Sequence, residues 1–322
     1  MKAMQLQALD GPGALRVVDV PEPVPGEDEV LIDVEAAGVS FVDLLISRGL
    51  YQQRFEAPVV PGIEVAGRVR QAGSGSRVSV GDRVAAFLDK GGFAEQVTAP
   101  AALTFRLPDE FDALQGAAYV LNYHTAHFAL VRRARLRPGE RVLVHGASGG
   151  LGSACIQVAR AAGASVVAVV RTEEKAELTR RAGAETVIVA GSDWLGRFRE
   201  QAPGGAVDVA ADPVGGPVAE DTVRALAPEG RYLVLGFAGG EIPAVRFNRL
   251  LLRNLDVVGA GWGAFLPSDP SLPEATDRAL AEMVASGHVR PIVGRVYALD
   301  EAQAALEDLD EGRAAAKIVL RV

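Results

Sequence analysis

The chain has very little cysteine, no excess of positive charge and no long apolar run. Cys155 is its one cysteine among 322 residues, so an internal disulfide and a four-cysteine zinc lobe are both excluded. The net charge of −8 argues against nucleic acid or an anionic membrane surface as the main partner. No apolar run approaches the roughly 18 residues that span a bilayer, and residues 1–13 contain no apolar signal core. We therefore expect a cytoplasmic protein with a small-molecule partner.

Its length and its 49% hydrophobic content suit two folded domains. The first hundred or so residues alternate short apolar runs with proline and glycine, which predicts a small β-barrel. The predicted strands are Val30–Ala37, Ile63–Arg70, Arg83–Leu88 and Phe93–Thr98. Ser40 begins an intervening helix as its N-cap, and that helix runs to Arg48, before Gly49. A second helix is predicted over residues 113–131.

Residues 141–171 are the most informative stretch. Their pattern predicts a buried strand (Val142–Val144), a glycine turn, a helix (Leu151–Ala162) and a second buried strand (Ser165–Val170). A βαβ unit of about 30 residues with such a turn is typical of dinucleotide binding, because glycine lets the backbone approach a pyrophosphate and the helix N-terminus attracts the anion. The predicted cofactor contacts in the turn are Gly146, Ser148, Gly149, Gly150, Leu151 and Gly152.

The alternation of strand and helix continues and predicts an α/β Rossmann fold with a doubly wound parallel sheet. The further predicted helices are Glu173–Ala182, Val218–Leu226, Glu274–Ser286 and Asp300–Gly312. The further predicted strands are Thr186–Val189, Val207–Ala211, Arg231–Leu235 and Leu255–Gly259. A last strand, Lys317–Val322, is expected to return to the first domain. The predicted domains are residues 1–120 with 265–322, and residues 121–264.

Positive charge follows the second strand of the βαβ unit, at Arg171 and Lys175, with Thr172 beside them. A site for NAD usually carries Asp or Glu there, whereas a guanidinium suits the 2′-phosphate of NADPH. We therefore predict NADPH as the cofactor, held by these three residues. In the alternative interpretation the two cations are a solvated rim, and Glu173 and Glu174 balance part of the lysine charge.

Six segments, one of them within the βαβ unit, lie in order along essentially the whole chain. They read GVSFVDLLISRGLYQ (38–52), PGIEVAGRV (61–69), VHGASGGLG (144–152), DPVGG (212–216), LGFAGGEIP (235–243) and AAAKIVL (314–320). Together they resemble the zinc-independent quinone oxidoreductase (zeta-crystallin-like) family of the medium-chain dehydrogenase/reductase superfamily. The resemblance implies a GroES-like β-rich catalytic domain around the Rossmann domain, NADPH-dependent reduction of a quinone or another conjugated carbonyl, and a homodimer.

The resemblance also implies that no metal takes part. Alcohol dehydrogenase relatives hold catalytic zinc through a cysteine, a His-Glu pair and a further Cys or His, and the corresponding positions here are Ser40 and Ile63-Glu64. The nicotinamide must then carry the chemistry, and the protein supplies orientation and a hydrogen-bond donor near the substrate oxygen. Many quinone reductases have an asparagine at the position of Ser40 and a tyrosine near Leu45, which this chain lacks.

Tyr51 and Ser40 are the predicted catalytic residues. Related enoyl-thioester reductases place a proposed proton-donating tyrosine in a context similar to that of Tyr51, although it could simply form a pocket wall. Ser40 could donate a hydrogen bond to the substrate, serve as a helix N-cap, or do both. Glu64 is expected to be a direct participant or a buried polar anchor.

The remaining predicted cofactor contacts follow from the family and from the rule that ligands bind at the carboxyl ends of parallel strands. They are Thr125, Asp212, Gly236, Phe237, Gly261, Trp262 and Lys317. Phe237 and Trp262 could equally be core or interface aromatics, and Lys317 a solvated strand residue. We expect no catalytic role for His124, His127 or His145.

These observations favour an NADPH-dependent, zinc-independent reductase of quinones or other α,β-unsaturated carbonyls. One alternative is an enoyl-thioester reductase acting on acyl-CoA, which needs a basic patch for the CoA phosphates that Arg246, Arg249 and Arg253 could supply. The other is a non-catalytic NADPH-binding protein, like the lens crystallins of this family. The sequence leaves the physiological acceptor open.

Overall fold

The computed structural model describes residues 1–190, 193–202 and 204–322. These residues form two compact units: Met1–Leu121 together with Pro291–Val322, and Asn122–Arg290. The strands in chain order are β1 (Lys2–Leu6), β2 (Leu15–Asp19), β3 (Glu29–Val39), β4 (Glu64–Ala72), β5 (Arg83–Phe87), β6 (Gln96–Pro100), β7 (Thr104–Arg106), β8 (Arg141–Val144), β9 (Ser165–Val170), β10 (Thr186–Val189), β11 (Val207–Asp212), β12 (Leu226–Val234), β13 (Asp256–Gly259), β14 (Val293–Ala298) and β15 (Lys317–Arg321). The α-helices are α1 (Phe41–Ser47), α2 (Ala113–Gly116), α3 (Val120–His127), α4 (Gly150–Ala161), α5 (Glu173–Arg181), α6 (Trp194–Gln201), α7 (Val218–Ala225), α8 (Phe247–Arg253), α9 (Trp262–Phe265), α10 (Leu272–Ala285) and α11 (Ala302–Asp310).

The first unit is built on a sheet in the order β14-β15-β3-β4-β5-β7, with β6 also paired to β3. β15 pairs antiparallel with β3, so the predicted return of the C-terminal strand to the first domain is confirmed. Alternating small and branched apolar residues point into one core, which includes Val30, Ile32, Val65 and Ile318. Ser40 begins α1 with a reciprocal capping box to Asp43, so its predicted N-cap role is confirmed.

The second unit holds a six-stranded parallel sheet in the order β10-β9-β8-β11-β12-β13. From β8 the chain adds strands first on one side and then, from β11, on the other, which confirms the doubly wound fold. The order therefore reverses between β8 and β11, whose pairing runs from Val142–Val209 to Val144–Ala211. The strands Ser165–Val170 and Thr186–Val189 begin and end at the predicted residues.

Two sequence expectations differ from the structure. The single helix predicted over 113–131 is divided into α2, α3 and a π-helical segment, Phe128–Arg133, because the chain turns after Gly116. Residues 265–290 lie in the second unit, although the sequence placed them in the first. They are held there by long-range contacts that a local pattern does not reveal, such as Arg132 with Asp269 (2.8 Å) and the backbone of Arg290 with Gln157 (2.8 Å).

None of the described helices combines the length and the apolar character that crossing a membrane requires.

Candidate functional site

The glycine turn lies directly after β8, at the point where the strand order reverses. Gly146 has a φ of +54°, in the left-handed region that favours glycine. A Cβ on Gly152 would lie 2.2 Å from the Gly146 carbonyl oxygen, so only glycine fits there. Gly149 is the N-cap of α4 and offers no side-chain cap, which leaves the first N–H groups of the helix to another acceptor. This arrangement fits a pyrophosphate.

The other predicted turn residues lie where the sequence placed them. Ser148 is buried within the turn, and Gly150 and Leu151 are the first two residues of α4. A Cβ on Gly150 would meet the side-chain amide nitrogen of Asn122 at 2.8 Å. Asn122 is therefore a turn-supporting residue that the sequence did not single out.

Arg171 and Lys175 lie beyond the end of β9, which pairs with β8 in parallel. Both strands thus end at the same edge of the sheet, and the two cations share that edge with the glycine turn. Partial burial lowers the pKa of Lys175, and the neighbouring Arg171 charge lowers it further. Thr172 caps α5 by accepting the Lys175 N–H. Two cations that repel one another at a helix N-terminus favour an anion between them.

Asp212, at the end of β11, is buried, and both oxygens of its carboxylate accept hydrogen bonds from other residues of the chain. Its Oδ1 accepts the N–H groups of Val214 (2.8 Å) and Gly215 (3.0 Å). Tyr232 donates its hydroxyl to the other carboxylate oxygen. The residue therefore shapes the turn after β11, while a direct contact to the cofactor stays a prediction. Tyr232 was not anticipated, since a tyrosine inside an apolar strand gives no sequence signal of its partner.

The turn after β11 is joined by backbone hydrogen bonds to the loop that carries Gly236 and Phe237. Ala238 N–H donates to the Pro213 carbonyl (3.0 Å) and Gly239 N–H to that of Val214 (2.8 Å). Gly215 has a φ of +67°, and a Cβ there would lie 2.9 Å from the Phe237 ring. Phe237 thus packs on a glycine surface at the same edge of the sheet as the glycine turn.

His145 belongs to the buried support of this edge. Its Nε2 lies 2.7 Å from the hydroxyl of Thr222, which donates its own proton to the Val218 carbonyl (2.6 Å). That chain of bonds assigns the imidazole proton to Nε2. Burial lowers the pKa of His145, and the Asp212 charge partly opposes the shift. The ring is therefore neutral and takes part in the buried hydrogen bonding at this edge, while the absence of a catalytic role stays a prediction.

The predicted contacts on α3 and α9 differ in accessibility. Thr125 is half-buried, whereas Trp262 is 2% exposed and packs at 5.2 Å against the ring of His124. Gly261 is the N-cap of α9. Tyr123 is also buried and donates its hydroxyl to Gln157 (2.8 Å). Among these residues Thr125 is the one whose side chain lies nearest the surface.

In the first unit, Ser40 and Asp43 form a tight buried pair. The Ser40 hydroxyl donates to the Asp43 carboxylate (2.6 Å), and the Ser40 N–H donates to the same oxygen (2.8 Å). Gly62 N–H donates to the other oxygen (3.0 Å). Burial raises the pKa of Asp43, and the hydrogen bond from Ser40 and the charge of Lys317 oppose that shift. The hydroxyl of Ser40 is thus committed to the capping box.

Glu64 and Lys317 form a second buried pair. Glu64 Oε2 lies 2.8 Å from Lys317 Nζ, and Leu121 N–H donates to the other oxygen of Glu64 (2.8 Å). Burial raises the pKa of Glu64, while the Lys317 charge lowers it. A Cβ on Gly38 would meet Lys317 Cε at 2.7 Å, so glycine makes room for the pair. Lys317 is therefore an internal counter-ion rather than a solvated strand residue.

The internal contacts of Ser40 and Glu64 do not fit a zinc site. The hydroxyl of Ser40 and the carboxylate of Glu64 are both engaged within the protein, and burial raises the pKa of the Cys155 thiol to about 12. Within the described ranges no three His, Cys, Asp or Glu side chains are grouped to bind a metal.

Tyr51 is half-buried at the end of the segment that follows α1. Burial raises the pKa of its phenol first, and the negative charges of Asp89 and Asp43 raise it further. The group therefore stays protonated at neutral pH and is available as a hydrogen-bond donor.

Comparison with known proteins places this geometry in a family. Residues 26–109 match the alcohol dehydrogenase GroES-like domain, and residues 150–281 match the domain described as zinc-binding dehydrogenase. The chain is 35% identical to quinone oxidoreductase-like protein 2 of Mus musculus over 93% of its own length and 86% of that protein.

Solved structures resemble the chain over its full length. A probable oxidoreductase from Mycobacterium abscessus has a TM-score of 0.91 and 42% identity, covering 100% of this chain and 99% of the other. The quinone oxidoreductase from Thermus thermophilus, solved also as its complex with NADPH, has a TM-score of 0.84 and 35% identity over 100% of both chains. The chain belongs to the quinone oxidoreductase family of the medium-chain dehydrogenase/reductase superfamily.

Proposed function

We propose that the chain is an NADPH-dependent, zinc-independent reductase of quinones or other α,β-unsaturated carbonyls. The observation that carries the proposal is the shared edge of the parallel sheet that presents both the glycine turn and the Arg171–Lys175 pair. The turn suits a pyrophosphate, and the two cations suit a 2′-phosphate. The solved NADPH complex of a family member that is 35% identical supports the same cofactor.

NADPH bound there would supply a hydride to the electrophilic carbon of the acceptor. The residues of this chain would then bind and orient. Gly146, Gly149 and the first turn of α4 would hold the pyrophosphate, with Arg171, Thr172 and Lys175 at the ribose phosphate. Thr125, Gly236 and Phe237 are the proposed contacts nearer the nicotinamide, and direct roles for Asp212, Gly261, Trp262 and Lys317 stay predictions.

On the substrate side we propose Tyr51 as the donor to the carbonyl oxygen that gains negative charge. Its neighbours Asp43 and Asp89 favour the protonated phenol, which can stabilise an oxyanion through a hydrogen bond. Ser40 is the weaker candidate, because its hydroxyl already donates to Asp43. We propose that Ser40 positions α1 and that Tyr51 makes the direct contact.

Turnover assays with both nicotinamides test the proposal. Consumption of NADPH and of NADH would be followed with 9,10-phenanthrenequinone, 1,4-benzoquinone, a simple enone and crotonyl-CoA. Saturable, NADPH-specific turnover of a quinone or enone is the expected result. Preferred turnover of crotonyl-CoA would identify an enoyl-thioester reductase instead, and NADPH binding without turnover of any acceptor would identify a non-catalytic protein.

A homodimer is part of the proposal. β13 ends the strand order of the parallel sheet, and Val257 on it is 48% exposed. α8, which directly precedes β13, exposes Phe247 (81%) and Leu251 (76%). An open strand edge continuous with such an apolar helix face suits pairing with its own copy about a two-fold axis. Phe247→Asp with Leu251→Asp should give a monomer in light scattering, and unchanged mass would place the interface elsewhere. A cytoplasmic location stays a prediction from composition.

A further inference from the structure

A basic groove lies on the second unit, away from the edge of the sheet that carries the glycine turn. It has a volume of about 410 Å³ and is formed by α6, α7 and α8. Its lining residues are Arg199, Val223, Arg224, Arg249, Leu252 and Arg253. α7 ends just before β12 begins, and α8 ends just before β13 begins. The groove therefore lies at the amino-terminal edge of the parallel sheet, opposite the carboxyl-terminal edge that suits the cofactor.

The groove is positively charged within a chain whose net charge is −8. Four guanidinium groups line it, and two carboxylates pair with two of them. Glu220 accepts from Arg224 (3.0 Å) and from Arg249 (3.1 Å), and Asp221 accepts from Arg224 (3.0 Å). Glu200, the neighbour of Arg199, does not line the groove. Two positive charges therefore remain in excess.

Those two charges belong to Arg199 and Arg253. The guanidinium of Arg253 donates to the Arg224 carbonyl (3.2 Å), a neutral acceptor that fixes its position without cancelling its charge. Arg199 has no ion pair or side-chain hydrogen bond with the residues that the structure describes. Both guanidinium groups thus keep N–H donors for an acceptor outside the chain.

A second observation points to a missing acceptor. The Nε atom of Arg249 is shielded from solvent and has no hydrogen-bond partner within the described part of the chain. A buried donor left without a partner is costly, and more so when it carries charge, so native proteins rarely retain one. Glu220 meanwhile holds the other end of the same guanidinium in place. A turn of the Arg249 guanidinium toward the groove that it lines would bring this donor to an anion there.

We propose that this groove is a second ligand site, for a small molecule that carries a phosphate or diphosphate group. Arg199, Arg249 and Arg253 would bind the phosphate oxygens, since guanidinium groups match their geometry with paired hydrogen bonds. Val223 and Leu252 give the groove an apolar part for the organic portion of the ligand. Because the site lies at the opposite edge of the sheet, its ligand does not compete with the cofactor.

Calorimetric titration of inorganic pyrophosphate into the full-length protein tests the site. All proteins would carry Gly152→Ala together with Arg171→Gln and Lys175→Gln, so that pyrophosphate binding is weakened both at the glycine turn and at the two cations of the cofactor edge. In that background we expect saturable binding with one site per chain. Adding Arg199→Gln and Arg253→Gln, which are at or near the surface, should weaken the affinity roughly tenfold or more, because two charge-assisted contacts are lost.

Arg278→Gln is the matched control, since Arg278 is an exposed arginine paired with Glu274 at 3.1 Å. It should leave the affinity for pyrophosphate unchanged. Absence of saturable binding in the background protein would overturn the proposal, as would an equal loss in the control and in the groove variant. The titration does not depend on enzymatic turnover, so its failure is distinct from failure of the proposed reductase activity.

Discussion

Lys317 Nζ lies 2.8 Å from Glu64 Oε2 at a point where both side chains are almost wholly shielded from solvent. The pair joins β15 to the start of β4, and it lies close enough to Asp43 for the lysine charge to act on that carboxylate as well. Two buried acids thus share one buried base. Such an arrangement is stable only while the counter-ion is present.

Lys317→Met should therefore destabilise the protein by about 3–5 kcal/mol, because it leaves two buried carboxylates without their cation. Combining it with Glu64→Gln should recover much of the loss, since glutamine can still accept the Leu121 N–H without burying a charge. Urea unfolding at neutral pH measures the difference. Lys90→Met, at an exposed lysine, is the control; equal effects at Lys90 and Lys317 would contradict a special role for the buried pair.

Gly152→Ala should prevent tight cofactor binding. Its Cβ would come within 2.2 Å of the Gly146 carbonyl oxygen, so the turn before α4 would have to move. We expect loss of NADPH binding in a fluorescence titration, together with a lower unfolding midpoint. Gly13→Ala places its methyl group where no atom lies within 4 Å and should leave binding intact. Retained affinity in Gly152→Ala would show that the turn does not hold the pyrophosphate.

The βαβ unit illustrates what local sequence pattern can establish. Its strands are apolar and its turn needs glycine, so Ser165–Val170 and the turn at Gly146 are predictable from neighbouring residues alone. The partnership of Glu64 with Lys317 is not, because the two residues are distant in the sequence and the sequence does not reveal that both are buried. The same holds for the hydroxyl that Tyr232 donates to Asp212.

The helix predicted over 113–131 was wrong for a related reason. Its composition is compatible with one helix, but a Cβ on Gly116 would meet the side chains of Ala66 and Leu107 within 3 Å. Tertiary packing of the first unit therefore determines where α2 ends, and local propensity does not reveal that constraint.

Tyr51→Phe should lower kcat for the preferred acceptor by roughly 100-fold while leaving the affinity for NADPH unchanged, because it removes a donor to the developing oxyanion without changing the ring. Since burial and the nearby Asp89 and Asp43 charges raise the pKa of Tyr51, the wild-type rate should lose less to phenol ionisation at alkaline pH than an ordinary exposed tyrosine would cause. Steady-state kinetics across pH gives both results. A normal kcat in Tyr51→Phe would show that Tyr51 only lines the pocket and takes no part in the chemistry.

Acid should destabilise the fold through its buried histidines. Burial lowers the pKa of His127 to about 4, so the unfolded chain binds a proton in the range from about 6.5 down to 4 that the native state does not bind. Above that range the protonation of His127 does not affect the free energy of unfolding. As the pH falls through the range, the free energy of unfolding decreases, by about 2 kcal/mol at about pH 5. Urea unfolding at about pH 7.5 and about pH 5 should show that the free energy of unfolding of His127→Gln depends less on pH than that of the wild type. An equal dependence in both proteins would mean that other groups cause the acid destabilisation.

The measurement that most directly tests the central claim is cofactor discrimination. Dissociation constants for NADPH and NADH would be determined for the wild-type protein and for Arg171→Gln with Lys175→Gln. We predict that the wild type prefers NADPH and that the variant loses roughly 10- to 100-fold in affinity for NADPH, with little change for NADH, because the lost contacts are charge-assisted bonds to one phosphate. A wild type that prefers NADH, or a variant that weakens both cofactors equally, would contradict the account.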